Sequence, residues 1–239
     1  MGLGLKKLLI TLIASTSCAA QIPSQTQQLI VVVTKDWNDL HGTAQRYQRS
    51  GRSFHKVGSS FAIVVGKNGM GWDPAMPLDD ASSIPTKHEG DGKSPAGIFE
   101  VGTAFGYGPT AFTRMAYMPL TSTVECVDDV ASSRYNQLVD SPGPDKDWRS
   151  SEKMLRNDGL YQYGIFVDYN TPPRRGWGSC IFMHIWRGPD IGTVGCTAME
   201  QSSILLLFDW LDPAKRPELV QMPMRVYNGH RHKWGLPRL

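Results

Sequence analysis

The feature that most limits what this chain can fold into is a set of short apolar runs, most of them closed by glycine or asparagine or followed within two residues by glycine. They are LIVVV at 29–33, SFAIVVG at 60–66, AGIFEVG at 96–102, YGIFVDYN at 163–170 and SCIFMHIW at 179–186. Each is too short for a stable helix. Most are rich in β-branched and aromatic side chains, which suit a pleated surface. Lys67-Asn68-Gly69 has the chemistry of a hairpin turn, because Asn and Gly accept positive φ at little cost. Residues 73–85, 140–148 and 171–176 are Pro-, Gly- and Asp-rich loops, and 103–119 has scattered Gly and aromatics without a helical period. One segment alone, 201–213, has helical spacing, with Ile204, Leu207, Phe208 and Leu211 on one stripe. Ser202 or Ser203 would cap its start, and Asp212-Pro213 would stop it. The expectation is one mixed, β-rich domain over 29–239 with a few helices and no internal repeat.

The first residues read differently. Lys6 and Lys7 precede an apolar run at 8–14, and small residues end at Cys18-Ala19-Ala20. That order is expected to be an export signal over 1–20, cleaved after Ala20, with 21–28 a short linker. A buried N-terminal helix is one alternative. A lipid-anchored cysteine at Cys18 is another, opposed by Ser15 where an aliphatic residue is expected. The run is too short to span a bilayer, and no later segment has the length or apolarity to do so. The expected location is the periplasm or cell envelope. Removing 20 residues from 239 leaves about 220, ample for a hydrophobic core. A net charge of +3 gives no case for a nucleic-acid partner. Cys126, Cys180 and Cys196 remain after cleavage, an odd count that points to one pair and one free thiol.

The chemistry concentrates in 179–199, SCIFMHIWRGPDIGTVGCTAM. On an extended strand Cys180, Phe182, His184 and Trp186 share one face. Ile181, Met183 and Ile185 share the other, apolar face, which is the natural core side. Residues 187–192 turn the chain, and Gly195-Cys196 follows twelve residues after His184. A thiol needs a base to become a nucleophile, and a neighbouring imidazole can take its proton and hold the pair charged. Backbone N–H groups at Gly195 and Cys196 would serve a developing oxyanion. The competing reading of Cys196 is an inert buried cysteine. A zinc site using Cys196 and His184 lacks further ligands.

These residues carry a resemblance. GDGKSPAGIF at 90–99, SPAGIFEVG, FMHIW and TVGCTAM occur in the order of the L,D-transpeptidase catalytic domain of the YkuD type, and together resemble it over roughly 60–226. The resemblance implies a β-sandwich or barrel core, no cofactor and no metal, and peptidoglycan stem peptides as partners. It also implies Cys196 as nucleophile, His184 as base, Gly195 in the oxyanion turn and Thr193 as a residue orienting His184 or the loop. The reaction implied is acyl transfer from a stem tetrapeptide, through a thioester, to an amine. Two positions depart from the family pattern: Val194 where many members carry His, and Ala198 where many carry Arg or Asn. They leave open a hydrolase on the same scaffold, an L,D-carboxypeptidase or amidase, and beside it a silent cell-wall-binding module. Arg187 is a candidate to supply the missing positive charge, and Trp186, with Trp177, to line a peptide groove.

The remaining candidates have plainer readings. Cys126 is expected to bridge Cys180, tying a turn-rich acidic segment to the root of the catalytic strand, against two separate thiols. Asp91 and Lys93 are expected in a polar turn, and His88 in an exposed loop. Glu125, Asp128 and Asp129 are expected in a solvated acidic turn. His230, Arg231, His232 and Lys233 are expected in a basic surface tail.

Overall fold

The structure, a computed structural model, describes residues 21–78, 83–140, 143–144 and 146–239. The export-signal reading of 1–20, with Cys18, lies outside the described residues, as do parts of the loops at 73–85 and 140–148. In chain order the strands are β1 (Gln28–Thr34), β2 (His41–Ser50), β3 (Ser53–Val64), β4 (Met70–Trp72), β5 (Ser94–Gly106), β6 (Tyr117–Pro119) and β7 (Glu125–Val127). They continue as β8 (Leu138–Val139), β9 (Ser151–Lys153), β10 (Tyr163–Val167), β11 (Phe182–Ile185) and β12 (Thr197–Met199). Helix α1 (Gln201–Trp210), β13 (Glu218–Pro223) and α2 (Met224–His230) complete the chain.

Eight strands pair in the order β10-β11-β12-β3-β2-β1-β13-β5, and β5 pairs back to β10. The ring of hydrogen bonds is therefore closed, a barrel, which removes exposed strand edges. It is mixed: β1–β13 and β11–β12 run parallel and the other ring pairs antiparallel. β1 lies between β2 and β13 and is buried along its whole length, which explains its continuous apolar run. α1 buries Ser203, Ile204, Leu207 and Phe208 and packs beside β10 and β11. Its start is Glu200 with no side-chain cap, so the expected Ser202 or Ser203 cap is not formed, and its last turn gives way at Leu211.

A separate sheet, β8-β7-β9, sits against the barrel through a second apolar cluster. That cluster holds Phe105, Met154, Tyr161 and Phe182 together with Cys126, Cys180 and Cys196. Ile181 and Met183 belong to the barrel core instead. The alternation holds from Ile181 to Ile185 and both faces are covered there, but the strand is shorter than expected: Cys180 precedes β11 with a positive φ of 55° and Trp186 follows it. Cys126 and Cys180 form a disulfide with Cα atoms 6.0 Å apart, and among the described residues Cys196 is the free cysteine.

The acidic segment differs from expectation. Glu125 is 1% exposed, not solvated. It pairs with Lys153 and Lys146 and accepts from Trp148 Nε1 at 3.0 Å and Ser151 Oγ at 2.5 Å. Burial raises its pKa, but these four donors prevail and hold the carboxyl at about 2. A buried carboxylate is tolerable only when so fully paired. Cys126, its neighbour, is anchored by this strand and by the disulfide.

Candidate active site

Parallel pairing of β11 with β12 sets the site. Met183 lies opposite Thr197, His184 opposite Ala198 and Ile185 opposite Met199. Cys196 immediately precedes β12, and the two-residue period puts it on the face of Ala198. Nucleophile and imidazole thus share one face of neighbouring strands, offset by two residues. The connecting loop, 186–195, is pinned to the barrel: Lys67 N–H donates to Thr193 O at 2.7 Å and Thr193 N–H to Val65 O at 2.9 Å.

Two hydroxyls fix the cysteine's backbone. Thr193 Oγ1 donates to Cys196 O at 2.6 Å and Ser94 Oγ donates to the same oxygen at 2.7 Å. Ser94 in turn accepts from Gly66 N–H at 2.9 Å. Thr193 therefore orients the loop rather than His184. Ser94 opens the SPAGIF run, and its role was not read from the sequence. Gly195 N–H donates to Thr193 Oγ1 at 3.0 Å, so in this resting arrangement it is not available to an oxyanion. A Cβ at Gly195 would lie 3.4 Å from both Ile181 Cδ1 and Lys93 O, the limit of ordinary contact.

The thiol is 4% exposed. It accepts from Phe182 N–H at 3.3 Å and donates to Cys180 O at 3.5 Å. The disulfide-bonded residue therefore supplies the carbonyl against which the nucleophile rests. His184 is 6% exposed. Its Nδ1–H donates to Ile185 O at 2.7 Å, which leaves Nε2 as the basic nitrogen. Its ring lies 5.0 Å from that of Tyr161, edge to face.

Burial sets the charge state of the pair. It lowers the His184 pKa to about 4, with the Arg156 charge acting in the same direction against the Ile185 carbonyl bond and Asp158. It pushes the Cys196 thiol up, with Glu152 adding to the rise and Phe182 N–H, Lys87 and Arg156 opposing it. The sequence reading expected a charged thiolate–imidazolium pair. Desolvation instead makes the neutral thiol and neutral imidazole the resting form.

A pocket of about 190 Å³ opens over Cys196 and His184, walled by Glu152, Arg156, Tyr161, Arg187 and Val194 among others. Arg156 bridges the Glu152 carboxylate at 3.3 Å and Asp158 at 2.6 Å, and lies 5.1 Å from the Tyr161 ring centre. Tyr161 OH donates to Glu152 at 2.5 Å. Arg187, which the sequence singled out, does reach the pocket; its side chain is 60% exposed and only a 3.5 Å contact holds it to Asp158. Trp186 and Trp177 do not line the pocket. Glu152 and Arg156 were missed, because the 150–160 segment has no periodicity and meets the site only through the second cluster. Asp91 forms the expected polar turn, accepting from His88 N–H, Lys93 N–H and the buried Lys87 ammonium at 2.7, 2.8 and 2.7 Å. Among the described residues no three His, Cys, Asp or Glu side chains gather as a metal site.

No model of a known protein family matches the chain, and no curated protein matches it. Among solved structures it is similar to the Bdellovibrio bacteriovorus protein Bd1075, with a TM-score of 0.43 and 12% identity. The match covers 91% of this chain and 58% of that one, so the chain spans less than two thirds of the neighbour's length. No helix among the described residues is long and apolar enough to cross a membrane.

Proposed function

We propose that the protein is an exported cysteine acyl-transferase of the L,D-transpeptidase kind, acting on peptidoglycan stem peptides. The observation that carries this is one pocket in which a free cysteine, a histidine with its Nε2 unprotonated and an exposed arginine converge from β11 and the loop that leads into β12. Cys196 Sγ attacks the carbonyl of the residue before the terminal D-amino acid, while His184 Nε2 takes the thiol proton. The C–N bond breaks, His184 returns the proton to the leaving amine, and an S-acyl enzyme is left. A second stem's amine attacks the thioester and restores the thiol. Arg187, loosely held by Asp158, turns to the carboxylate of the terminal residue. Arg156, locked between Glu152 and Asp158, positions the wall and the field around the imidazole.

Incubation of the mature protein with a tetrapeptide stem, followed by mass spectrometry, tests the reading. A covalent adduct lighter than substrate plus enzyme by one alanine, absent in Cys196→Ala, is expected, followed by a cross-linked dimer. A bare tripeptide product would replace the transferase with a hydrolase. Normal turnover by Cys196→Ala would end the proposal. Arg187→Gln is expected to lower kcat/KM by roughly 10- to 100-fold, the loss of one charge-assisted pair.

A further inference from the structure

The basic run near residue 231 is not a loose tail. Trp234 N–H donates to His230 O and Leu236 N–H to Arg231 O, both at 2.9 Å. Tyr47 OH donates to Arg238 O at 3.0 Å and Tyr227 OH to Pro237 O at 2.9 Å. Trp234 and Leu236 are buried in the barrel core. The backbone carrying these cations is therefore fixed, and it faces the turn between β2 and β3.

The two segments together wall a groove of about 480 Å³. Its basic lining is Arg52, His55 and Lys56 from one side and Arg231, His232 and Arg238 from the other, and no acidic residue among the described residues lines it. None of the six is in an ion pair with an acid among the described residues. Four of the six, Arg52, Lys56, Arg231 and Arg238, are lysine or arginine side chains, against a net charge of +3 for the whole chain. The weak overall excess therefore hides a concentrated patch. Like charges held on a pinned backbone repel, and an anion between them relieves that repulsion. Three guanidinium forks from two sides match a centre with several acceptor oxygens, as a phosphate has.

We propose that this groove is a binding site for a phosphate-bearing anion. It is independent of the catalytic pocket: β3 begins at the groove and ends beside β12, roughly 33 Å away at a strand's rise. Two sources present this chemistry, a soluble phosphate compound and a lipid headgroup, and the test separates them.

Inorganic pyrophosphate is titrated calorimetrically into the mature protein at low salt, and sedimentation is measured with phosphatidylglycerol and phosphatidylcholine vesicles. Pyrophosphate is expected to bind, more weakly as salt rises. The double variant Arg52→Gln/Arg231→Gln, with its fold checked by thermal melting, is expected to lose at least tenfold in affinity while Cys196 alkylation is unchanged. Pyrophosphate binding without vesicle binding assigns a soluble phosphate. Sedimentation with phosphatidylglycerol alone, reversed by pyrophosphate, assigns a headgroup. No binding in either arm, equal binding of citrate, or a double variant that binds like wild type overturns the proposal.

Discussion

His184→Gln tests the buried neutral imidazole through stability, without needing a substrate. Unfolded, the imidazole titrates near 6.5; in the fold burial lowers it to about 4. Between these values the unfolded chain binds the extra proton. Stability supplied by keeping the ring neutral is thus intact above pH 6.5 and is lost as pH falls through the window. The full loss below pH 4 is about 3 kcal/mol, and by pH 5 about 2 kcal/mol is gone. Glu218 has the opposite sign: burial raises its pKa to about 7, so it stabilises below its unfolded value and that contribution fades as pH rises toward 7. It does so equally in both proteins, and comparison with the variant cancels it. Urea unfolding at pH 7 and pH 5 is the assay. Wild type is expected to lose about 2 kcal/mol more than His184→Gln between the two. Parallel pH dependences would mean that the ring is solvated or already charged, and the neutral-pair argument would fail.

Two further outcomes follow from the same geometry. Cys126→Ser opens a loop with a sequence separation of 54, and the chain-entropy relation gives a loss of about 4 kcal/mol in unfolding free energy; a loss under 1 kcal/mol would show that the bridge does not constrain the fold. Native Cys196 is expected to react with iodoacetamide at pH 7 at least tenfold more slowly than a free cysteine, with a midpoint above 8.5. A midpoint below 8.5 would restore the charged pair.

The parts legible in the sequence are those where local pattern and tertiary role agree. β1, β5, β10, β11 and α1 were all visible, because apolar runs or a 3.6-residue stripe coincide with burial in the barrel. β2 was not: HGTAQRYQRS has almost no β-branched residue, and it is a strand because β1 and β3 pair along both its sides. β13 was hidden by proline at both ends and by polar residues whose partners exist only in the fold, with Glu218 Oε2 left buried without one among the described residues. Its Glu218 accepts from Thr26 at 2.9 Å, and Gln221 bridges Thr197 and Pro95 at 2.5 and 2.8 Å. In the site, Cys196, His184, Thr193 and Arg187 were found because they lie within one short stretch of chain. Ser94, Glu152 and Arg156 were not, since their roles exist only when distant segments meet, and no local period marks such a meeting.

The neutral pair also reconciles the nucleophile with its surroundings. At ordinary pKa values, moving a proton from a thiol near 8.5 to an imidazole near 6.5 already costs about 3 kcal/mol before the two charges attract. Burial of both groups widens that gap, so thiolate does not accumulate in the resting protein. Oxidation and disulfide exchange act on exposed thiolate. The Cys126–Cys180 disulfide, with Cys180 O directly against the Cys196 thiol, is protected from exchange with that thiol by this burial. On the proposed reaction, proton transfer to His184 Nε2 then proceeds only together with attack on a docked carbonyl, whose developing charge replaces the solvent the pocket excludes. The sulfur stays inert until the substrate itself completes the polar environment that ionisation needs.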